Sequence, residues 1–333
     1  MAERIKVIQY GIGPIGMRMV DHLAERSIFE IVGAVDTDPA KIGKELGQLS
    51  GLAGSLGVKV SGNAAELMQR TQADVVVLTT NSSLERIKPQ ILEIVASGKN
   101  VVSSCEELVY PWLTQPGISA EIDEAARKND VSVLATGVNP GFLMDFLPLA
   151  LTGVCRRVNR VRVERIQNAE YRRLPFQKKI GAGLTLEEFE ARRKEGILRH
   201  VGLTESIHMI AAGLGWRLDR VEEVLSPIVA ERRLVTPDLT LEPGLAAGVR
   251  QVGRGVKNGE EVITLDFIAA VGQPDPREHI VIEGVPAIDM GIKGGVNGDV
   301  ATCAILTNAI PVVRGAAPGL RTMADVRVVP SLP

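Results

Sequence analysis

The stretch from Ile5 to Met17 constrains the chain more than any other, because an apolar run breaks there into Gly11, Gly13 and Gly16 and then continues with helical spacing. Ile5, Val7 and Ile8 read as a buried parallel strand, and Ile15, Val20 and Leu23 as the inner face of the following helix. The glycines complete a G-x-G-x-x-G turn. Gly11 permits the tight turn, Gly13 lets backbone approach a pyrophosphate, and Gly16 lets helix pack on strand. The helix start, Ile12, Pro14 and Ile15 included, would turn unpaired N–H groups and a positive dipole end toward the phosphates. A second strand, Glu30 to Val35, ends in Asp36, 20 residues past Gly16, where a carboxylate accepts from adenosine ribose hydroxyls. This context predicts a bound nicotinamide dinucleotide, NAD in preference to NADP, with Lys41 and Lys44 able to offset Asp36 if a 2′-phosphate is present and otherwise reading as surface lysines.

At 333 residues the chain has room for two domains. Net charge is −2 and aromatics are few, which argues against nucleic acid or an acidic membrane as partner. A small neutral or zwitterionic ligand fits better. No apolar run approaches spanning length and the N-terminal residues lead directly into a strand, so a cytoplasmic protein is expected. Cys105, Cys155 and Cys303 are odd in number and far apart, which suggests neither disulfides nor a metal site.

Beyond Asp36, residues 38–57 read as a short helix, favoured by Pro39 at its first turn, and a glycine-rich loop; a short strand and helix follow. Ala73 to Asn81 reads as a central strand whose carboxyl end carries Thr79, Thr80 and Asn81, at the edge where ligands bind in parallel sheets. A helix from Leu84 to Ser97 and a strand from Asn100 to Ser103 lead into Cys105, Glu106 and Glu107. Two glutamates just past such a strand lie where the nicotinamide ring is delivered, and a carboxylate half-buried beside an apolar ring gains proton affinity and can act as a base near neutral pH. A helix cap or surface acid is the alternative for each.

In the remaining chain, Arg160 to Gln167 alternates as a strand opening a mainly antiparallel sheet, with further strands at 228–234, 246–256, 261–271 and 279–283. Thr204 with Glu205 reads as the cap of a helix. The arginines Arg165, Arg172 and Arg173 have two readings, bidentate capture of a substrate carboxylate or pairing at a surface or subunit interface. Gly294, Gly295 and Gly298 lead to an apolar helix capped by Asn297 or Asp299, and a last helix is expected near Leu320 to Ala324. The fold class is α/β: a Rossmann-type doubly wound parallel sheet plus an α+β domain with an open, mainly antiparallel sheet. The dinucleotide domain is assigned to 1–137 completed by 299–333, and a substrate and dimerisation domain to 138–298. The active site is expected between them, and the solvated face of the second sheet makes a homodimer the expectation.

Several segments together carry a family resemblance: the glycine turn, CEELVYPW, TGVNPGF at Thr136 to Phe142, RRLPFQKKIGAGLT from Arg172 and HVGLTESIHMIA from His200. They resemble the 2,4-diaminopentanoate dehydrogenases and native amine dehydrogenases, whose first domain is similar to that of dihydrodipicolinate reductase. The histidine-pair and DAPSGT-type segment of dihydrodipicolinate reductase itself is absent, and Cys105-Glu106-Glu107 stands where the glucose–fructose oxidoreductase type has Glu-Lys-Pro. The resemblance implies NAD(P)-dependent oxidative deamination of an amine or a diamino acid to a ketone and ammonia, reversible as reductive amination. It implies Glu106 as catalytic base, with Glu107 the fallback, Cys105 near the cofactor, and Val138, Asn139, Asn168, Tyr171, His200 and Thr302 in the substrate pocket beside Arg165. An ammonia-independent reductase of a cyclic imine or carbonyl, and a dinucleotide sensor without turnover, are the competing readings.

Overall fold

The computed structural model describes residues 4–172 and 174–332. Strand and helix first alternate: β1 (Ile5–Tyr10), α1 (Pro14–Ala24), β2 (Phe29–Val35), α2 (Leu46–Ser50), β3 (Val60–Ser61), α3 (Ala64–Arg70), β4 (Val75–Leu78), α4 (Leu84–Ala96), β5 (Asn100–Ser103), α5 (Pro116–Lys128) and β6 (Ser132–Ala135). Then come α6 (Phe146–Leu151), β7 (Arg157–Asn168), α7 (Leu174–Lys179), α8 (Leu186–Lys194) and α9 (Leu203–Gly213). A run of strands follows: β8 (Arg220–Val229), β9 (Leu234–Val235), β10 (Thr240–Leu241), β11 (Ala246–Lys257), β12 (Glu260–Ala270), β13 (Arg277–Val285) and β14 (Ile288–Lys293). α10 (Gly298–Arg314) and β15 (Gly319–Arg321) close the chain. Two compact units result, Met1–Phe142 with Asn297–Pro333, and Leu143–Val296.

The first unit is built on a seven-stranded parallel sheet of order β15-β6-β5-β4-β1-β2-β3. A parallel sheet is covered on both faces, so its strands are apolar throughout: β4 is Val-Val-Val-Leu with every residue buried. Strand order reverses between β1 and β4, and at such a reversal the chain leaves the two strands in opposite directions and opens a crevice at their carboxyl ends. Two local expectations are corrected here. The segment after Pro39 forms turns and not a helix, because Gly43 adopts φ +80; α2 starts only at Leu46, capped by the Glu45 carboxylate on the Gln48 N–H. The last expected helix is the strand β15, since the free edge of β6 takes it up, Gly319 to Ser132, and Asp123 accepts from the Leu320 N–H at 2.8 Å.

The second unit is a six-stranded sheet, β14-β13-β7-β12-β11-β8, antiparallel at every pair except β7 with β12. Its inner face takes alternate residues, Val161 and Val163 of β7, Ile263, Leu265 and Phe267 of β12, and Ile280 and Ile282 of β13, all buried. Each fully buried aliphatic or aromatic side chain contributes about 1.5–3 kcal/mol relative to exposure. α9 lies over this face with Leu203, Ile207 and Ile210, and it can come close because β11 carries Gly253 and Gly255: a Cβ at Gly253 would stand 2.9 Å from Ile207. Gly202, and not Thr204, is the N-cap of α9.

Candidate functional site

The glycine turn is held from below by two polar side chains. Gln9, wholly buried in β1, donates to the Gly11 carbonyl at 3.0 Å and to Thr79 Oγ1 at 2.8 Å, and the Thr79 hydroxyl donates to the same carbonyl at 3.0 Å. Gly11 has φ +92, and a Cβ there would meet the Thr79 carbonyl at 2.8 Å. A Cβ on Gly16 would overlap the Gly11 carbonyl oxygen. Gly13 differs: its φ is −76, and a Cβ there would meet nothing within 4 Å. The space that a side chain would fill lies over the start of α1, where Pro14 has no N–H and the first-turn amides, Ile15 among them, have no intrahelical carbonyl to reach. Open room beside such amides fits a pyrophosphate.

At the end of β2 the Asp36 carboxylate is committed to the chain. Its Oδ2 accepts from the Ile12 N–H at 2.7 Å and from Lys41 Nζ at 3.3 Å, and its Oδ1 from the Asp38 N–H at 2.9 Å. Burial works against the charge, yet these N–H groups and the ammonium outweigh it and hold the carboxyl below its ordinary value. Asp36 therefore shapes the glycine turn. Lys41 also reaches Asp38 Oδ2 at 3.4 Å and so is no plain surface lysine, whereas Lys44 is exposed. At the end of β4, Thr79 braces the turn, Thr80 donates to Gln90 at 2.6 Å and Asn81 accepts from the Ser83 N–H at 2.9 Å.

After β5 the chain makes a short 3-10 turn, Glu106–Leu108. Here the two glutamates separate. Glu107 Oε2 accepts from the Leu84 N–H at 2.8 Å and from Gln115 Nε2 at 3.0 Å, so it caps the start of α4. The half-buried Glu106 carboxylate makes no hydrogen bond or ion pair among the described residues. Cys105 is buried, its thiol donates to the Ser82 carbonyl at 3.1 Å, and burial together with Glu106 pushes the thiol far up, so it stays protonated and packs.

The turn after β6 adds an unusual group. Asn139 is 8 % exposed, and both its amide oxygen and its amide nitrogen are buried without a partner, a costly arrangement unless a ligand supplies one. A carboxamide offers the complementary donor and acceptor. Thr302, near the start of α10, accepts from the Val138 N–H at 3.3 Å, and Asn297 caps that helix. Thr302 thus positions the Val138–Asn139 turn.

In the second unit the expected pocket residues divide. Arg165 is 1 % exposed and forms a 2.7 Å ion pair with Glu278, while its Nη2 donates to the Val296 carbonyl at 3.1 Å. It is neither a surface arginine nor a spare fork for a substrate carboxylate, because its charge is matched internally. The partner, Glu278, carried no sign in the sequence. Asn168 builds a turn, its Oδ1 accepting from the N–H groups of Glu170 and Gly272. Tyr171 is 84 % exposed, Arg172 stacks over the Phe176 ring at 4.0 Å, and Arg173 lies outside the described residues. The His200 ring stacks against Phe267 at 4.5 Å, its Nδ1 is buried without a partner, and burial with Lys179 and Arg165 nearby lowers its pKa to about 3, so the imidazole is neutral at pH 7. Among the described residues no group of three or more His, Cys, Asp or Glu could hold a metal ion, and no helix is long and apolar enough to cross a membrane.

A doubly wound sheet with this glycine turn, followed by a unit built on an open sheet, belongs to the nicotinamide dinucleotide oxidoreductases as a class. Within it, the 2,4-diaminopentanoate dehydrogenase C-terminal domain model matches residues 142–332, and a CoA binding domain model matches residues 2–105. The 2,4-diaminopentanoate dehydrogenase of Acetoanaerobium sticklandii is 35 % identical over 98 % of this chain and 94 % of that protein. The chain belongs to the 2,4-diaminopentanoate dehydrogenase family. It is also similar to an amine dehydrogenase of Streptomyces virginiae, 23 % identical over 98 % of each chain, and to the solved amine dehydrogenase of Mycobacterium smegmatis, with TM-score 0.87, 26 % identity and coverage of 99 % of this chain and 98 % of that one.

Proposed function

We propose that the chain is an NAD(P)-dependent amine dehydrogenase that interconverts an amine, or a diamino acid of the 2,4-diaminopentanoate type, with the ketone and ammonia, and that Glu106 is its base. The observation that carries this is the division of labour after β5: Glu107 is spent on capping α4, and Glu106 holds a half-buried carboxylate with no internal bond. The dinucleotide, when bound, supplies the hydride acceptor for deamination and the hydride donor for amination. The glycine turn and the amides of α1 hold its pyrophosphate, Asp36 faces its ribose, and the Asn139 amide holds its carboxamide. NAD is the favoured form.

Glu106 accepts a proton from the substrate ammonium, which frees the nitrogen lone pair to expel hydride from the adjacent carbon. That proton passes on to solvent, so an ionised carboxylate lies against the cationic iminium as it forms, and opposite charge fixed in advance counts most where charge develops. Glu106 takes a proton from the water that adds to the iminium carbon and passes it to nitrogen, ammonia leaves, and the hydroxyl proton returns to Glu106 as the ketone forms. A homodimer belongs to the same reading, supported by the open sheet of the second unit, whose outer residues include Arg162, Arg250 and Val224 in exposed positions.

The test is a screen of ketones and 2-amino-4-oxo acids with NADH and NADPH, with and without ammonium. Oxidation of the reduced cofactor that requires ammonium is expected. Turnover that ignores ammonium would mark a reductase of a cyclic imine or carbonyl, and cofactor binding with no turnover a sensor.

A further inference from the structure

His200 is held at both its ring and its main chain. The ring lies on Phe267, with centroids 4.5 Å apart. The main chain is gripped by Gln251, which is wholly buried on β11: the His200 N–H donates to Gln251 Oε1 at 2.7 Å, and Gln251 Nε2 donates to the His200 carbonyl at 2.9 Å. A side-chain amide thus supplies both halves of the pairing that a neighbouring strand would give. Its orientation is fixed, because Nε2 has a second acceptor in Glu223 Oε1 at 2.8 Å and a reversed amide would set oxygen against oxygen. Glu223, exposed on the edge strand β8, also accepts from Thr204 Oγ1 at 3.4 Å, so the same carboxylate is tied to the first turn of α9.

Strand register brings these groups into one row. Glu278, Arg165, Phe267 and Gln251 stand opposite one another on β13, β7, β12 and β11, on the inner face of the sheet. The ion pair lies on one side of the Phe267 ring and the amide on the other, and His200 covers the ring between them. Burial keeps the imidazole neutral, so its nitrogens divide into one donor and one acceptor. Nδ1 is buried without a partner among the described residues, and such an atom costs about 1–3 kcal/mol unless a ligand bonds to it. A ring that two neighbours hold still, with a polar atom left over, is built for a contact outside the protein.

We infer that Gln251 is a positioning residue for the substrate: by fixing the His200 main chain it lets the ring offer Nδ1 to a hydrogen-bonding group of the substrate away from the reacting carbon. The inference rests on the amine dehydrogenase reading above. It is tested on the full chain by ammonium-dependent NADH oxidation with 2-amino-4-oxopentanoate, which carries polar groups beyond its ketone, and with pentan-2-one, which carries none. NADH affinity is followed separately by cofactor fluorescence. His200→Phe, which keeps a ring on Phe267 without the nitrogen, lowers kcat/KM for 2-amino-4-oxopentanoate at least about fivefold through KM and leaves NADH affinity within about twofold. His200→Asn, whose amide stands where Nδ1 does, recovers most of that loss. Gln251→Met, which keeps the stem and loses all three bonds, lowers kcat/KM at least about threefold by the same route; Glu223→Ala, which frees one end of the amide, lowers it at least about twofold and carries this arm if Gln251→Met fails to fold. A histidine that only packs gives the reverse order, Phe tolerated and Asn the weaker. That order, smaller effects, or equal losses for the two ketones overturn the inference and leave the amine dehydrogenase reading standing. Wild-type protein with no ammonium-dependent turnover overturns both.

Discussion

Arg165 shows how far a residue's role depends on a partner remote in sequence. Its carboxylate lies 113 residues further on, and together they form a buried ion pair whose desolvation cost is offset only while both charges are present. Arg165→Met should therefore cost about 3–5 kcal/mol in urea unfolding, and Arg165→Met with Glu278→Met should recover most of it. The pH dependence has a definite sign. Burial raises the Glu278 carboxyl above its ordinary value even with Arg165 beside it, so this group favours the fold below its unfolded pKa and loses that contribution as pH rises through its folded pKa. Without the arginine the raised value climbs further, and the deficit of the single variant should shrink between about pH 7 and about pH 5. A deficit that stays constant across that range would mean that Glu278 is not left as a buried charge. Nothing local to Arg165 distinguishes this outcome from a substrate clamp, which is why both an arginine fork and a surface pair fit the sequence.

Among the elements, the strand–turn–helix at the chain start separates glycines that serve the fold from one that serves a ligand. Gly16→Ala places a methyl group on the Gly11 carbonyl and should yield little folded protein. Gly13→Ala meets open space at φ −76, so it should fold with an unchanged melting profile and bind NADH at least about tenfold more weakly, as a methyl in the pyrophosphate space would. Equal binding by Gly13→Ala and wild type would remove the phosphates from that space. Such elements are legible because a short apolar run after a glycine or a polar break is a local signal: β1 starts at Ile5 and β5 runs from Asn100 to Ser103, as the residue pattern predicts. Less legible are strands whose register is imposed by neighbours. β8 begins at Arg220, amid charges and with Pro227 tolerated because the strand is an edge, and β14 hides its alternation behind Gly291 and the glycines after it. β15 is a strand only because β6 has an edge to fill.

For the whole chain, the two kinds of sheet and the family follow from the glycine turn and the segments around Glu106, Asn139 and His200, which are contiguous in sequence. The parts of the site that depend on distant pairing do not: Gln9 beneath the turn, Glu107 on the first amide of α4, and Thr302 behind Val138 meet partners 70, 23 and 164 positions away, and no local pattern marks them. Glu107 is the instructive case, since it is adjacent to Glu106 and indistinguishable from it until the cap on Leu84 is seen. The account therefore stands on Glu106 alone. Its most direct test measures NADH affinity and ammonium-dependent NADH oxidation in wild type and Glu106→Gln side by side. The account predicts NADH affinity within a few-fold and turnover reduced by about a hundredfold or more, as removal of a general base requires. Turnover within a few-fold of wild type would contradict it.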